Sequence, residues 1–144
     1  MAKVTATTQA AVDPERVWRL LIDLPRFPEW NIMHDAFIGE VPGTLGEGVA
    51  YRQRVKMMNM PAEFAWRVTT ADGPGKLELT GDGPMGIKAV NRFVVEKSEG
   101  GSQITFEMEF NGPALNGPIA KMAEKQSAVA AQQSVDKFAA LLTA

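Results

Sequence analysis

Three polar side chains are predicted to lie among large apolar ones on one face of a β-sheet. Tyr51 and Gln53 alternate with charged residues along one segment, and Asn91 shares its register with Phe93 in a later one. Residues two apart on a strand point to the same face. Burying an amide without a partner costs roughly 1–3 kcal/mol. Each group therefore needs an internal partner, a water molecule or a ligand, and the sequence leaves all three open.

The single histidine, His34, is the residue type best suited to act as a general base near neutral pH. It is predicted at the start of a strand, with Glu29 and Asp35 close in sequence. Adjacent strand positions point to opposite faces, so a solvated His34 is the favoured interpretation. No serine lies in a nucleophile-elbow context, and the catalytic residues stay unknown.

Residues 81–86, GDGPMG, match the spacing G-x-G-x-x-G. A dinucleotide site would need a strand before this motif and a helix after it. The residues that follow, 89–97, alternate like a strand, and Pro84 removes a backbone donor from any phosphate cradle. The motif therefore predicts a turn between strands.

The chain has no cysteine and one histidine, which cannot build a usual zinc site. No calcium loop is present. We therefore expect neither a metal nor a cofactor. The absence of cysteine also excludes disulfides and fits a reducing compartment.

The composition is that of an ordinary globular protein, with 45% hydrophobic and 22% charged residues. The length of 144 residues predicts one domain, residues 1–144. The net charge of -2 gives no basic excess for nucleic acid. Neither a signal peptide nor a membrane-spanning run is evident, so we expect a soluble, cytoplasmic protein.

The order of predicted elements is strand, helices, a run of strands and one long helix, which is typical of an α+β fold. Asp13 caps the first helix, with Pro14 in its first turn. Glycine-rich turns join the later strands. The predicted strands are residues 3–10, 33–41, 49–58, 62–70, 76–80, 89–97 and 104–110, and the predicted helices are 13–23, a short turn in 24–30, and 117–142.

The long final helix is predicted to cover the sheet with mostly small side chains. Small residues either let the helix approach closely or leave a cavity, and the sequence leaves both open. At about 100° per residue, one side carries Ile119, Ala123, Ser127, Ala130, Ser134, Phe138 and Leu141.

The segment AVDPERVW of residues 11–18, followed by Leu21, Asp23, Arg26, Phe27, Pro28 and Trp30, resembles the opening of the START-like superfamily. This superfamily includes the polyketide cyclase/dehydrase and lipid-transport (SRPBCC) proteins and has the Bet v 1-like helix-grip fold. The resemblance implies a curved seven-stranded antiparallel sheet, two short helices and a long C-terminal helix around a cavity for apolar molecules. It also implies a core position for Trp18 and a position near the cavity entrance for Trp30.

The alternation of the strands and the resemblance together predict the residues that contact a ligand. They are Trp30, Tyr51, Gln53, Met57, Phe64, Trp66, Asn91, Phe93, Phe106, Met108, Ile119 and Ala123.

Three functions are compatible with this arrangement. The favoured one is binding of a small hydrophobic molecule, such as a lipid, a polyketide or an aromatic metabolite. The second is a cyclase/dehydratase or hydrolase with Tyr51 or His34 as acid or base and Gln53 or Asn91 holding a carbonyl oxygen. The third is a protein-interaction module of the chaperone-activator type. A homodimer also stays open.

Overall fold

The computed structural model describes residues 2–57, 60–113 and 115–143. Two short 3-10 helices, Leu24–Glu29 and Pro84–Gly86, interrupt the regular elements. These elements are β1 (Ala2–Ala10), α1 (Pro14–Leu21), β2 (His34–Ile38), β3 (Ala50–Met57), β4 (Met60–Asp72), β5 (Lys76–Asp82), β6 (Lys88–Ser98), β7 (Gly101–Asn111) and α2 (Gly117–Leu142). The predicted end of the third strand at residue 58 lies outside the described residues.

The seven strands form one antiparallel sheet in the order β1-β7-β6-β5-β4-β3-β2. Every consecutive pair from β2 to β7 is adjacent, and β1 closes on β7. The α+β helix-grip prediction, with a seven-stranded sheet, short helices and a long C-terminal helix, is confirmed. None of the described helices is long and apolar enough to cross a membrane.

The first helix begins as its sequence predicts. Asp13 has extended backbone angles, and its Oδ1 accepts a 3.0 Å hydrogen bond from the Arg16 amide. Pro14 occupies the first turn, where its missing N–H is not needed. Val17, Leu20 and Leu21 are buried, so α1 is fixed against the core by one apolar face.

The two faces of the sheet differ in charge. On the outer face, Arg54 Nε lies 2.6 Å from Asp35 Oδ2. Arg92 Nε lies 2.6 Å from Glu78 Oε2 on the same face. The inner face is apolar; Ile104, Phe106, Met108 and Phe110 alternate inward along β7 as predicted. Strand periodicity thus places these ion pairs on the outer face and the apolar side chains of β7 on the inner face.

The register of α2 differs from the prediction. Ile119 is 52% exposed, and Ala130 and Leu141 are only half-buried. Ala123, Ser127, Ser134 and Phe138 are buried as predicted, but the buried stripe also runs through Ala131, Val135 and Leu142. Ile119 lies in the first turn, roughly a quarter of a turn around the helix from the centre of this stripe. The prediction that it lies on the buried face is therefore wrong.

Both tryptophans of the N-terminal motif pack with the core, as the resemblance implies for Trp18 but not for Trp30. Trp18 is half-buried and packs over the turn at Gly73, where an added Cβ would lie 2.5 Å from its Nε1. Trp30 is only 1% exposed, and its ring packs between those of Phe93 and Phe138. Trp30 belongs to the core, and its predicted position at a cavity entrance is wrong.

Candidate functional site

A cavity lies between the inner face of the sheet and α2. Its volume, taken as the space open to the centre of a water molecule, is about 50 Å³. Strands β3, β4, β6 and β7, the segment before β2 and one position of α2 supply the walls. The described lining residues are Asn31, Met33, Gln53, Val55, Phe64, Trp66, Ala89, Asn91, Phe106, Met108, Phe110 and Ser127.

The lining of the cavity is apolar apart from three amides, one hydroxyl and the indole N–H of Trp66. None of the described lining residues carries a side chain that ionises near neutral pH. The described part of the chain also holds no group of three His, Asp or Glu side chains that could bind a metal. The site can therefore offer an apolar surface and a few hydrogen bonds, but its described lining offers no charge to a ligand.

Gln53 joins the cavity wall to His34. Trp66 Nε1 donates a 3.0 Å hydrogen bond to Gln53 Oε1, and Gln53 Nε2 lies 2.8 Å from His34 Nδ1. An indole N–H can only donate, which fixes the orientation of the Gln53 amide. Its Nε2 must then donate to His34 Nδ1, so that ring is neutral and carries its proton on Nε2. Partial burial agrees, since it lowers the pKa of His34 below its ordinary value.

His34 reaches Gln53 because β2 is irregular. It pairs with Val55, but the ladder shifts register between His34 and Ala36. Such a shift re-aims a side chain relative to regular alternation. His34 is half-buried rather than solvated, and its Nδ1 lone pair is already engaged.

Tyr51 is buried beside the cavity but is not among its described lining residues. Its ring packs edge-to-face with Phe37, with the ring centroids 6.2 Å apart. Burial raises the pKa of its hydroxyl far above the ordinary value. It stays protonated at physiological pH. The two candidate acid–base groups of the sequence, His34 and Tyr51, therefore do not converge on the cavity.

Asn91 is a lining residue whose side-chain oxygen lacks a hydrogen-bond partner. Its Oδ1 is buried and has no hydrogen-bond partner. Asn91 lies on β6 between Leu79 of β5 and Met108 of β7, and both of these neighbours are apolar. The indole nitrogen of Trp30 is also unpartnered, but it lies in the aromatic core.

Two glycines of the G-x-G-x-x-G motif make room for an aromatic wall. The rings of Phe64 and Trp66, both on β4, stack with their centroids 5.3 Å apart. A Cβ at Gly81 would lie 2.6 Å from Trp66, and one at Gly83 would lie 2.7 Å from Phe64. Its first two residues end β5, and the remainder forms a turn with a 3-10 helix before β6, so the turn prediction is confirmed for residues 83–86. Its glycines let the two rings lie flat against β5.

The structure brings half of the predicted site residues together around the cavity, and the others are not among its described lining residues. Gln53, Phe64, Trp66, Asn91, Phe106 and Met108 line the cavity. Trp30, Tyr51, Phe93 and Ala123 are buried in the core outside this lining, and Ile119 is exposed. The side chain of Met57 lies outside the described part of the structure. Ligand contact by any of these residues stays a prediction.

The cavity also has lining residues that the prediction of ligand contacts omitted. Val55, Ala89 and Phe110 share the inner register of predicted residues, and Ser127 lies on the predicted helix face, so the alternation contained the signal for them. Asn31 and Met33 lie just before β2 in an irregular segment; the predicted strand 33–41 included Met33, but β2 begins at His34.

Comparison with known proteins agrees with this architecture. A protein of Mycobacterium tuberculosis, Rv1546, is 31% identical over 141 residues, covering 98% of this chain and 99% of that one. A second protein of that organism, named toxin Rv0910, is 29% identical over 138 residues and covers 96% of both chains. The crystal structure of TTHA0849 from Thermus thermophilus superposes with a TM-score of 0.78 at 17% identity, over 98% of this chain and 97% of that one.

The family model described as polyketide cyclase / dehydrase and lipid transport matches residues 1–143. This match confirms the resemblance carried by the N-terminal motif. The chain belongs to the polyketide cyclase/dehydrase and lipid transport family.

Proposed function

We propose that this protein binds a small, uncharged hydrophobic molecule in the cavity between the sheet and α2. The observation that carries this proposal is the character of the lining, which is apolar with isolated amides and without an ionisable side chain among the described residues. Pockets for small molecules combine such walls with a few polar groups that fix orientation.

The same lining argues against acid–base catalysis. An enzyme of this kind should place two titratable groups within hydrogen-bond reach of one point in its cavity. His34 is engaged with Gln53, and Tyr51 is buried outside the lining. The polar groups that remain in the walls are suited to hold a molecule rather than to move its protons.

Entry of a ligand requires the walls to yield, because the space open to the centre of a water molecule is only about 50 Å³. Met33 and Met108 are the lining residues best suited to this, since an unbranched thioether adapts to irregular shapes. The aromatic wall of Phe64 and Trp66 is held by its glycines and by Gln53. We therefore expect the cavity to adjust its shape at these two methionines.

A cavity-filling variant tests the proposal. Titration with Nile red, an uncharged fluorescent probe, should give saturable binding to the wild-type protein. Ala89→Ile adds bulk to the lining and should weaken this binding at least tenfold. Ala65→Ile makes the same change on the exposed face of β4 and should leave it unchanged. Equal binding by both variants, with both folded by circular dichroism, would exclude the cavity as the site.

The relative named a toxin supports a second candidate function, since it aligns with nearly the whole chain. Under this hypothesis, the protein slows growth of a cell that makes it. Inducible expression in a bacterial host would measure this directly. Growth arrest would favour a toxic activity, and its persistence in Ala89→Ile would separate that activity from the cavity. Unimpaired growth at high protein levels would count against it.

A further inference from the structure

We propose that the ligand is a neutral molecule with an apolar body and one hydroxyl group, and that Asn91 hydrogen-bonds this hydroxyl. This inference rests on the proposed function and makes it more specific. It assigns Asn91 as the residue that determines specificity in the cavity.

Asn91 is held at the inner face by strand pairing on both sides. Leu79 and Met108 flank it across β5 and β7, and the sheet ladder fixes which way its side chain points. Its Oδ1 is buried without a partner, and leaving a buried acceptor unpaired costs free energy. An apolar side chain at this position would match its neighbours and leave no polar atom unpaired. The presence of an amide instead is explained if a bound molecule completes its hydrogen bonding.

Gln53 and Asn31, the other two amides of the described lining, already make hydrogen bonds. Gln53 uses its oxygen for Trp66 and its nitrogen for His34. Asn31 Oδ1 accepts a 3.1 Å hydrogen bond from the Met33 amide. Ser127 carries the one hydroxyl among the described lining residues, and it makes no hydrogen bond to Asn91 Oδ1. The described lining therefore supplies no partner for Asn91 Oδ1, and a bound molecule can supply one.

The chemistry of an amide selects a hydroxyl. A hydroxyl can donate to Oδ1 and accept from Nδ2, so it satisfies the amide in either orientation. A carboxylate only accepts, and it would place a charge where no described lining residue offers a cation. A methyl group in the same position would leave Oδ1 unpaired. The inference therefore favours alcohols and phenols over carboxylic acids and plain hydrocarbons.

Three probes of nearly equal shape test this order: 2-naphthol, 2-methylnaphthalene and 2-naphthoate. The wild-type protein should bind 2-naphthol about fivefold more tightly than 2-methylnaphthalene, as expected for one hydrogen bond to a buried amide. It should bind 2-naphthoate most weakly. Asn91→Leu, of similar shape, should abolish or reverse the preference for 2-naphthol. Asn111→Leu, at an exposed position of β7, is the matched control and should keep it.

The outcomes separate the inference from the proposed function. Binding of the probes with equal affinity, as expected if a water molecule stays on Asn91, would overturn the inference and leave the cavity as a binding site. Tightest binding of 2-naphthoate, or an unchanged preference in Asn91→Leu, would also overturn it. Failure of all three probes to bind would overturn both.

Discussion

The indole N–H of Trp66 donates to Oε1 of Gln53 over 3.0 Å, and this bond connects the aromatic wall of the cavity to the single histidine. Gln53 and Trp66 lie on neighbouring strands, β3 and β4, as diagonal neighbours, because Gln53 pairs with Phe64 and Trp66 is two residues further along β4. The bond directs the other end of the Gln53 amide to His34. A series of buried, hydrogen-bonded side chains stabilises a cavity wall only when each polar group has a hydrogen-bond partner.

Gln53→Leu should destabilise the fold. It leaves the Trp66 N–H buried without an acceptor, and it removes the donor to His34 Nδ1. We expect a loss of about 1–3 kcal/mol in the free energy of unfolding, measured with urea. Gln103→Leu, on the outer face of β7, is the control and should change it by less than about 0.5 kcal/mol. Similar losses in the two variants would argue against the chain of hydrogen bonds.

Stability should fall as the pH decreases below about 6.5, because burial lowers the pKa of His34 in the folded state. The unfolded chain then binds the proton more readily, so acid favours unfolding in this range. His34→Gln should remove this dependence while keeping an acceptor near Gln53. Asp35 and Glu78 do not obscure the effect, because their lowered pKa values place their contribution at more acidic pH. Equal pH profiles for the two proteins between pH 5 and 7 would contradict the assignment.

Gly81→Ala should be costly although the position is in a strand. The added methyl would lie 2.6 Å from the Trp66 ring, so the ring must move toward the cavity. Overpacking of this kind costs about 1–3 kcal/mol, and tryptophan fluorescence should change with it. Gly46→Ala has open space around it and should be neutral within about 0.5 kcal/mol. A Gly81→Ala protein as stable as the wild type would show that the ring does not depend on the gap.

Asn91→Leu should leave stability unchanged or raise it by about 1 kcal/mol in the absence of ligand. The substitution removes a buried acceptor that has no partner and replaces it with an apolar group of similar shape. Thermal unfolding without any additive measures this. A clear loss of stability would mean that Asn91 is satisfied within the folded protein, and its role in ligand contact would lose its basis.

Much of the fold follows from local patterns in the sequence. The capping of α1 by Asp13 and the alternation through Phe106 and Met108 specify these elements because their determinants are adjacent in the chain. The prediction that Ile119 lies on the buried face of α2 is wrong, because this helix is rich in alanine and its amphipathic pattern is weak. Packing against the sheet, rather than the pattern, decides which side of α2 is buried.

The site was harder to predict, since its key contacts join distant positions. His34 and Gln53 are 19 residues apart and meet only through the irregular pairing of β2 with β3. The gap at Gly81 is explained only once Trp66 lies across it. Such relationships depend on register between strands, which turn composition alone does not set.

The most direct test of the central claim is to locate a bound probe in the protein. Isotope-filtered NOEs from the ring protons of 2-naphthol should reach methyl groups of Val55, Met33 and Met108, all of which line the cavity. NOEs confined to Met122 and Val129, which lie exposed on the outer side of α2, would place the probe on the surface and contradict binding in the cavity.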